Sequence, residues 1–594
     1  MKAIILAAGY GRRMRPLTEK CHKTLLKIGG TTIIERIVDS LLAQSIADII
    51  IVTGYQAEEL KAFLRCRYRD IPFTFVHNEQ YATTNNIHSL NLAISSVPID
   101  DDILLIESDL IYENAVLDRI LASEHRNAAL VDRYRGGMDG TVVTVEDGII
   151  TSIIPPHLQK GDFDFSNKYK TLNIYRFSKD FCKDTFFKLL SFYSGAIDNN
   201  CYYELILGIL IYLQRENIYA EILDGERWSE LDDPNDLRVT EFIFSEQSRA
   251  ELLTRSFGGY WNYPFLDFSF VRNMYFPSGA MLAEIRTSLP DLLVNYGSSQ
   301  EILNEKCAFF VGCAAKNIIL LNGAAQAFPL LAEYFCNRQI LVPDPTFGEF
   351  TRLFPGCRFY SDLFGISLDE IRKRSSECDV VVFVNPNNPT GSYIPPEEIA
   401  FFAQQNPEKI VLVDESFIEF AAHPGIISLL EESPLANVIV LKSLSKVLGV
   451  PGLRLGFLYS CNRDFNEFAM RRIPVWNSNS IAEFFLEIVL KHRDSLAVSI
   501  SSTIRDREEF AAMLSEIPCI QRVIPSRANF LVIELTTTVS NPEMIVPDLL
   551  AKKSILVKDV SGRFGNGKHY FRLAVRLPGE NRRLVQCLQE ILQS

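Results

Sequence analysis

The sequence predicts an α/β protein of two domains, and three observations lead there. Its 594 residues exceed the roughly 100–200 residues of one domain. Short β-branched apolar segments alternate with stretches of helical spacing in both halves. A content of 47% hydrophobic, 22% charged and 11% aromatic residues supplies large cores and lies outside the range of disordered or collagen-like chains. The first alternation opens with strand-like segments at 2–7 and 48–53, between which Ile33, Ile34, Ile37, Val38, Leu41 and Leu42 repeat at helical spacing. Further strand-like runs at 73–77, 103–107 and 129–133 predict a mostly parallel sheet covered by helices. A second alternation starts after about residue 260, with strands expected at 339–343, 380–385, 410–414 and 438–442. Residues 236–257 read as a terminal helix and short connector, which places the boundary near residue 250, between domains spanning 1–245 and 256–594. No internal repeat or low-complexity tract occurs.

Lys plus Arg total 60 against 73 for Asp plus Glu, a net charge of −13, which argues against broad electrostatic binding to nucleic acid or an anionic membrane. The apolar start, residues 1–8, runs into Gly9-Tyr10-Gly11-Arg12-Arg13, whereas a signal peptide places positive charge before a longer apolar core. No apolar run approaches the roughly 20 residues that cross a bilayer, so a soluble cytoplasmic protein is expected. The twelve cysteines include no CxxC pair and read as buried apolar thiols, not zinc ligands or disulfides.

After the first strand the chain reads Leu6-Ala7-Ala8-Gly9-Tyr10-Gly11-Arg12-Arg13-Met14-Arg15-Pro16-Leu17-Thr18, with Lys23 five residues on. Small residues there let backbone N–H groups approach a phosphate, and Arg13 and Lys23 can add charge-assisted bonds. The third glycine of a dinucleotide fingerprint and a Gly-Lys-Ser/Thr P-loop are both absent. The full string resembles the signature of the nucleoside triphosphate transferases that activate sugars and phosphocholine, although that family usually has Pro where His22 stands. The resemblance implies a Rossmann-like nucleotidyltransferase sheet, nucleotide contacts from Leu6, Ala8, Gly9 and Gly11, and catalytic roles for Lys23 and Arg13. Tyr81-Ala82-Thr83-Thr84-Asn85-Asn86-Ile87-His88-Ser89-Leu90 is similar to a nucleotide-holding segment of the phosphocholine cytidylyltransferase branch, which adds Thr83, Thr84, Asn85 and, from the next strand end, Glu107, with CTP as the nucleotide. Two carboxylates brought together from strand ends can hold Mg²⁺, which takes few protein ligands and shares phosphate oxygens. The resemblance assigns this to Asp109 and Asp232, with Asp233 as the alternative to Asp232. Asp139, Tyr175, Glu204, Trp228 and Glu230 lie in the stretch where this branch holds its choline or amine.

In the second half Ser443-Leu444-Ser445-Lys446 follows a strand, and Arg454 comes eight residues after the lysine inside Gly452-Leu453-Arg454-Leu455-Gly456. A lysine that carries a cofactor aldehyde must sit beside groups that grip the cofactor's phosphate, and Ser443 and Arg454 suit that task. Asn385-Pro386-Asn387-Asn388-Pro389-Thr390-Gly391 and Val411-Leu412-Val413-Asp414-Glu415 precede them. The three motifs in this order resemble fold-type I pyridoxal-phosphate aminotransferases, in the branch of histidinol-phosphate aminotransferase and threonine-phosphate decarboxylase. The resemblance implies that Lys446 carries the cofactor, Asp414 pairs with the pyridinium nitrogen, Asn388 bonds the ring oxygen and Phe347 stacks on the ring. Ala324 and Ala325, in Gly323-Ala324-Ala325-Gln326, would open a helix whose amides meet the phosphate. Arg572, in Phe571-Arg572-Leu573-Ala574, matches the arginine that takes the carboxylate of an amino-acid donor as a bidentate pair. Tyr296 matches the tyrosine that family members extend to a partner subunit's cofactor phosphate, which implies a homodimer through this domain. Phe417 departs from the family, since many aminotransferases have a Tyr there bonded to the ring oxygen.

The two halves suggest consecutive steps on a small phosphorus compound with a primary amine. Phosphocholine fails that test, because transamination does not make a quaternary nitrogen. 2-Aminoethylphosphonate passes: its amine can come from phosphonoacetaldehyde and its phosphonate can attack CTP. The whole chain resembles bifunctional 2-aminoethylphosphonate cytidylyltransferases of phosphonate tailoring. Three alternatives stay open: a phosphocholine or phosphoethanolamine acceptor, a decarboxylating second half, and a degenerate cofactor domain that serves as a dimer scaffold.

Overall fold

The computed structural model describes residues 1–160, 163–246, 249–363 and 365–593, and the chain divides into two compact units, Met1–Pro264 and Phe265–Ser594. In the first unit a nine-stranded sheet runs in the order Thr74–His77, Ile49–Thr53, Lys2–Ala7, Ile103–Glu107, Tyr169–Phe177, Ala128–Arg133, Tyr219–Ile222, Ile149–Ile154, Val142–Glu146. Ile4, Leu6, Ile50, Val52, Ile103 and Leu105 bury one face, while Ala3, Ile5, Ile49, Ile51, Leu104 and Ile106 bury the other. A strand covered on both sides has no polar face to show, hence the continuous apolar runs of its sequence. The helix Ile33–Ala43 packs Ile33, Ile34, Ile37, Val38 and Leu41 inward, and Thr32 and Glu35 close a reciprocal capping box at its start.

The mostly parallel expectation holds for the first four strands in that order and for the pair Ala128–Arg133 and Tyr219–Ile222, with antiparallel strands set between and beyond them. Tyr169–Phe177 is antiparallel to both Ile103–Glu107 and Ala128–Arg133, and Val142–Glu146 forms an antiparallel hairpin with Ile149–Ile154. The two-residue loop of that hairpin is Asp147-Gly148, with φ of 49° and 77°. An Asp-Gly pair supports this left-handed turn, and that signal stood in the sequence unused.

Residues 236–257 are not one helix and a connector: Pro234–Phe244 and Arg249–Ser256 are separate helices. The Arg249 guanidinium donates to the carbonyls of Phe242 and Ile243, which ties the second helix back to the first unit.

In the second unit a seven-stranded sheet has the order Ile318–Asn322, Leu455–Ser460, Val438–Ser443, Ile410–Asp414, Val380–Val384, Ile340–Asp344, Arg358–Ser361. Only Leu455–Ser460 is antiparallel to its neighbours. A smaller antiparallel sheet, Ile520–Ile524, Phe530–Leu535, Tyr570–Ala574 and Lys558–Asp559, carries Arg572. The cysteines depart from expectation: Cys182, Cys307, Cys378 and Cys587 are buried, but Cys66 and Cys336 are exposed. No helix among the described residues is long and apolar enough to cross a membrane.

Candidate functional site

Each unit gathers its motif residues at strand ends. In the first, the chain leaves Lys2–Ala7 through a loop in which Gly11 is left-handed at φ 59° and accepts a hydrogen bond from Thr18 Oγ1 at 2.8 Å. A side chain at Gly11 would be strained by that φ and would meet Thr18 Cγ2 at 3.3 Å. The loop opens a cleft of about 600 Å³, bordered by Leu6, Ala8, Gly9, Gly11, Arg13, Lys23, Thr84, Asn85, Glu107, Asp109, Asp139, Glu204, Glu230 and Asp232.

Three residues expected there lie elsewhere. Thr83 is exposed and its hydroxyl donates to Gln80 O. Tyr175 is buried in the core against Phe177 and Tyr203, because its place on Tyr169–Phe177 turns it to the covered face. Trp228 gives its indole N–H to Asp132 at 2.8 Å. Asp233, the alternative metal ligand, caps the helix Pro234–Phe244 by accepting from the amides of Asn235 and Asp236.

Lys23 Nζ lies 3.1 Å from Asp109 and 3.4 Å from Asp232, and Arg13 reaches Asp232 at 2.8 Å and Asp139 at 3.4 Å. Burial opposes the Lys23 charge, but the two aspartates outweigh it and hold its pKa above the ordinary lysine value. Carboxylates otherwise dominate the cleft. Burial, then Asp109 and Glu204, push Glu107 well above the usual carboxylate range; burial also raises Glu204. Glu230 rises to about 7 through burial, which Lys170 opposes and Asp109 and Asp232 reinforce. Asp109 Oδ1 is buried and has no hydrogen-bond partner among the described residues, so an oxygen remains for a cation. Asp139, Glu230 and Asp232 also present oxygens within 4.8 Å of one another. The donor set, all hard carboxylate oxygen, fits Mg²⁺.

Two residues of this cleft were not legible as site residues. His22 is buried, its Nε2 3.1 Å from Ala7 O and its Nδ1 3.2 Å from the Thr24 amide, while its own amide donates to Glu59. Lys170, on Tyr169–Phe177, borders the cleft and pairs with Glu230 at 3.0 Å. Lys170 stands in no motif, and His22 stands in the signature only as a departure from it; both are held by pairings distant in sequence.

In the second unit Lys446 lies on the short helix Leu444–Val447 that follows Val438–Ser443. Two glycines allow close approaches around it, one by backbone and one by a side chain. A Cβ on Gly456 would stand 2.4 Å from Ala324 N, and one on Gly323 would stand 2.4 Å from Arg454 Nη2. The Ala324 and Ala325 amides, opening the 3-10 turn Ala324–Gln326, are thereby set beside Arg454 and, through the Ser443–Gly456 pairing, Ser443. Asp414 is buried; its Oδ1 accepts from the Ser416 amide at 3.0 Å and hydroxyl at 2.6 Å. Ser416 Oγ in turn accepts from the Ser443 amide at 3.1 Å.

Burial, then the positive charges of Arg572 and Arg454, lower the Lys446 pKa to about 8 against the opposing pull of Asp414. Arg572 donates to Asn388 Oδ1 at 2.8 Å and to Ser269 O at 2.6 Å; burial and Arg563 depress it to about 10. Phe347 precedes the helix Gly348–Leu353, its ring 6.0 Å from that of Phe328. Phe417 is buried edge-on to Phe530 at 5.2 Å. Tyr296 is 78% exposed and stacks on Trp476 at 4.4 Å. An amine of depressed basicity, a buried carboxylate and a cradle of amides with an arginine fit pyridoxal phosphate, which carries an aldehyde, a basic ring nitrogen and a phosphate.

The family descriptions "Aminotransferase class I and II" and "MobA-like NTP transferase domain" match residues 274–587 and 3–166. Over its full length the chain is 29% identical to the CMP-5'-(3-aminopropyl)phosphonate synthase of Streptomyces rubellomurinus, covering 95% of that protein. Through 49% of its length it is 31% identical to the histidinol-phosphate aminotransferase of Chlorobium luteolum, covering 81% of it. The L-threonine-O-3-phosphate decarboxylase structure from Porphyromonas gingivalis shares the fold, with a TM-score of 0.50 and 21% identity over 55% of this chain and 100% of that one. More than half of the chain thus lies within one family, and the protein is a member of the class I and II aminotransferases, fused at its N-terminal side to a MobA-like NTP transferase domain.

Proposed function

We propose that the first unit transfers a cytidylyl group from CTP to 2-aminoethylphosphonate, and that the second supplies the amine by transamination of phosphonoacetaldehyde. The observation that carries this is the cleft itself, where Arg13 and Lys23 stand against a surplus of carboxylates: two cations for a triphosphate, and acids for a divalent ion and an ammonium group. The full-length likeness to a synthase of a CMP-aminoalkylphosphonate supports the coupling of the two units and sets an acceptor one methylene longer beside the proposed one.

A phosphonate oxygen attacks the α-phosphorus of the nucleotide, a new P–O bond forms, and the bond to the leaving pyrophosphate breaks. Lys23 and Arg13 offset the charge that accumulates on the phosphate oxygens, and the glycine loop positions them. Mg²⁺, held by Asp109 and Asp232, would neutralise further phosphate charge. In the second unit pyridoxal phosphate would be held by Lys446, Asp414, Asn388, Phe347, Ser443, Arg454 and the Ala324 and Ala325 amides, and would supply an electron sink for amino transfer. Lys446 Nζ can take and return a proton near neutral pH because its basicity is depressed, and Arg572 can seat a donor carboxylate. In a homodimer the exposed Tyr296 ring would serve the neighbouring subunit.

Pyrophosphate release from CTP, UTP, ATP and dTTP with a panel of aminophosphonates and phosphomonoesters tests the first half. CTP with 2-aminoethylphosphonate should be preferred, and Asp109→Ala should lower the rate roughly 100-fold or more. Near-normal turnover of the variant at saturating Mg²⁺ would remove Asp109 from the site. Release of CO₂ from phosphonoalanine without an amino acceptor would replace transamination by decarboxylation.

A further inference from the structure

Lys170 is the one cation bordering the first unit's cleft, among the described residues, that belongs to neither the glycine loop nor the segment carrying Lys23. Its side chain is 2% exposed, yet it reaches the cleft. Thr171 O at 2.9 Å and Glu230 Oε2 at 3.0 Å take two of its N–H groups, and an ammonium group has another to give. Room for it comes from Gly140, whose Cβ would stand 3.0 Å from Lys170 Nζ and whose φ is 93°. The neighbouring Asp139 faces Arg13, so one short turn gives the cleft a carboxylate for Arg13 and space for Lys170. Glu107, Glu204 and Glu230 gather near Asn86 and Asn173, Glu230 also presents an oxygen within 4.8 Å of those of Asp139 and Asp232, and among the described residues Lys170 is the one cation paired with these glutamates. Arg13 and Lys23 are committed to Asp109, Asp139 and Asp232.

We propose that Lys170 binds the anionic group of the acceptor while Glu230, released from it, takes the acceptor's ammonium group, so that the Lys170–Glu230 ion pair is the resting form of a zwitterion-binding site. The inference rests on the cytidylyltransferase reading and adds to it which residue holds the attacking group and why the acceptor must carry both charges. A buried ion pair tolerates exchange of partners but not loss of one. A zwitterion replaces both partners at once. An anion without an ammonium group would draw Lys170 away and leave Glu230 buried and uncompensated, and a quaternary ammonium group would offer Glu230 no N–H. The nucleotide's phosphates have Arg13 and Lys23 as their cations, so CTP binding is expected to depend little on Lys170.

The test uses the full-length protein with Mg²⁺ and CTP. Lys170→Met should raise the KM for 2-aminoethylphosphonate roughly tenfold or more while the KM for CTP stays within about twofold. Independently of any variant, calorimetric titration of the wild-type protein should find ethylphosphonate binding roughly 30-fold or more weakly than 2-aminoethylphosphonate. If Lys170→Met does not fold, the double variant Lys170→Met/Glu230→Leu removes the pair without stranding a charge and should show the same acceptor-specific loss. An unchanged acceptor KM, an equal rise in both KM values, or ethylphosphonate binding as tightly as the amine overturns the inference and leaves the cytidylyltransferase reading standing. Absence of pyrophosphate release from the wild-type protein with every nucleotide and acceptor overturns both.

Discussion

At the scale of the residue, Lys446 shows how far an environment can move one group. Its amine is buried beside two guanidinium groups, those of Arg572 and Arg454, and only Asp414 pulls the other way; the outcome is a pKa lowered from 10.5 to about 8. The sign for reactivity is direct. A lysine attacks an aldehyde only as the free amine, so depression of the pKa puts half of Lys446 in the reactive form near pH 8. In cofactor-free protein, the rate at which added pyridoxal phosphate is fixed to the chain on borohydride reduction should rise through an apparent pKa near 8. Arg572→Ala, which removes the stronger of the two opposing positive charges and leaves Lys446 in place, should move that midpoint upward. A midpoint near 10.5 in the wild-type protein would show that Lys446 is not in the environment described. The residue scale also places Phe417: it faces Phe530 in the core and offers no hydroxyl, whereas Asn388 is held by Arg572.

At the scale of the element, the loop that carries Lys23 is fixed less by its own turn than by His22. The His22 backbone is extended at φ −64° and ψ 138°, and its ring bridges Ala7 O on the first strand and the Thr24 amide beyond Lys23. A proline would set the same φ but would lose the amide bond to Glu59. Burial lowers the His22 pKa from 6.5 to about 4. The folded state therefore binds this proton less readily than the unfolded chain. The stability contributed by neutral His22 is complete above about pH 6.5 and is lost as pH falls toward 4, on the order of 3 kcal/mol over the whole window. His22→Gln keeps a donor for Ala7 O and does not titrate. Urea unfolding in a Trp476→Phe background, where Trp228 and Trp261 report on the first unit, should show wild type losing stability between pH 6.5 and 4 relative to the variant. Parallel losses would show that His22 does not govern the acid sensitivity. Elements of this kind mark the limit of what the sequence discloses. Strands 2–7, 103–107 and 410–414 were legible because both faces are covered and each run is apolar apart from one charged residue at its end, Lys2, Glu107 or Asp414. The antiparallel strand Tyr169–Phe177 was not, because Lys170, Thr171 and Asn173 interrupt its apolar pattern. Of these, Lys170 and Asn173 line the cleft, so part of the signal that hid the strand came from its site-facing side chains. Lys23 and Lys446 announce themselves through contiguous motifs; Lys170 depends on its pairing with Val142 and on Gly140, contacts that spacing along the chain does not reveal.

At the scale of the whole molecule, each unit closes its own cores. The clusters around Ile5 and Ile51 and around Ile4 and Tyr175 draw only on residues before 250, while those around Val413, Val382 and Ile533 draw only on residues after 260. Each unit also assembles its charged site internally: Arg13, Lys23, Asp109 and Asp232 in one, Asp414, Lys446, Arg454 and Arg572 in the other. Two folding units with separate sites should fail separately. Lys446→Ala removes the amine that would carry the cofactor but replaces it with a small apolar residue in a buried place, and leaves the first unit's residues unchanged. The expected outcome is loss of 2-aminoethylphosphonate formation from phosphonoacetaldehyde and an amino-acid donor, with pyrophosphate release from CTP and supplied 2-aminoethylphosphonate retained within about twofold. Running both assays on one preparation, alongside circular dichroism to establish that the variant is folded, separates chemistry from stability. Retention of amine formation would take Lys446 out of the reaction. Loss of pyrophosphate release in a folded variant would mean that the second site governs the first, and the two activities would then have to be treated as one coupled system with a reciprocal effect of CTP on the aminotransferase half.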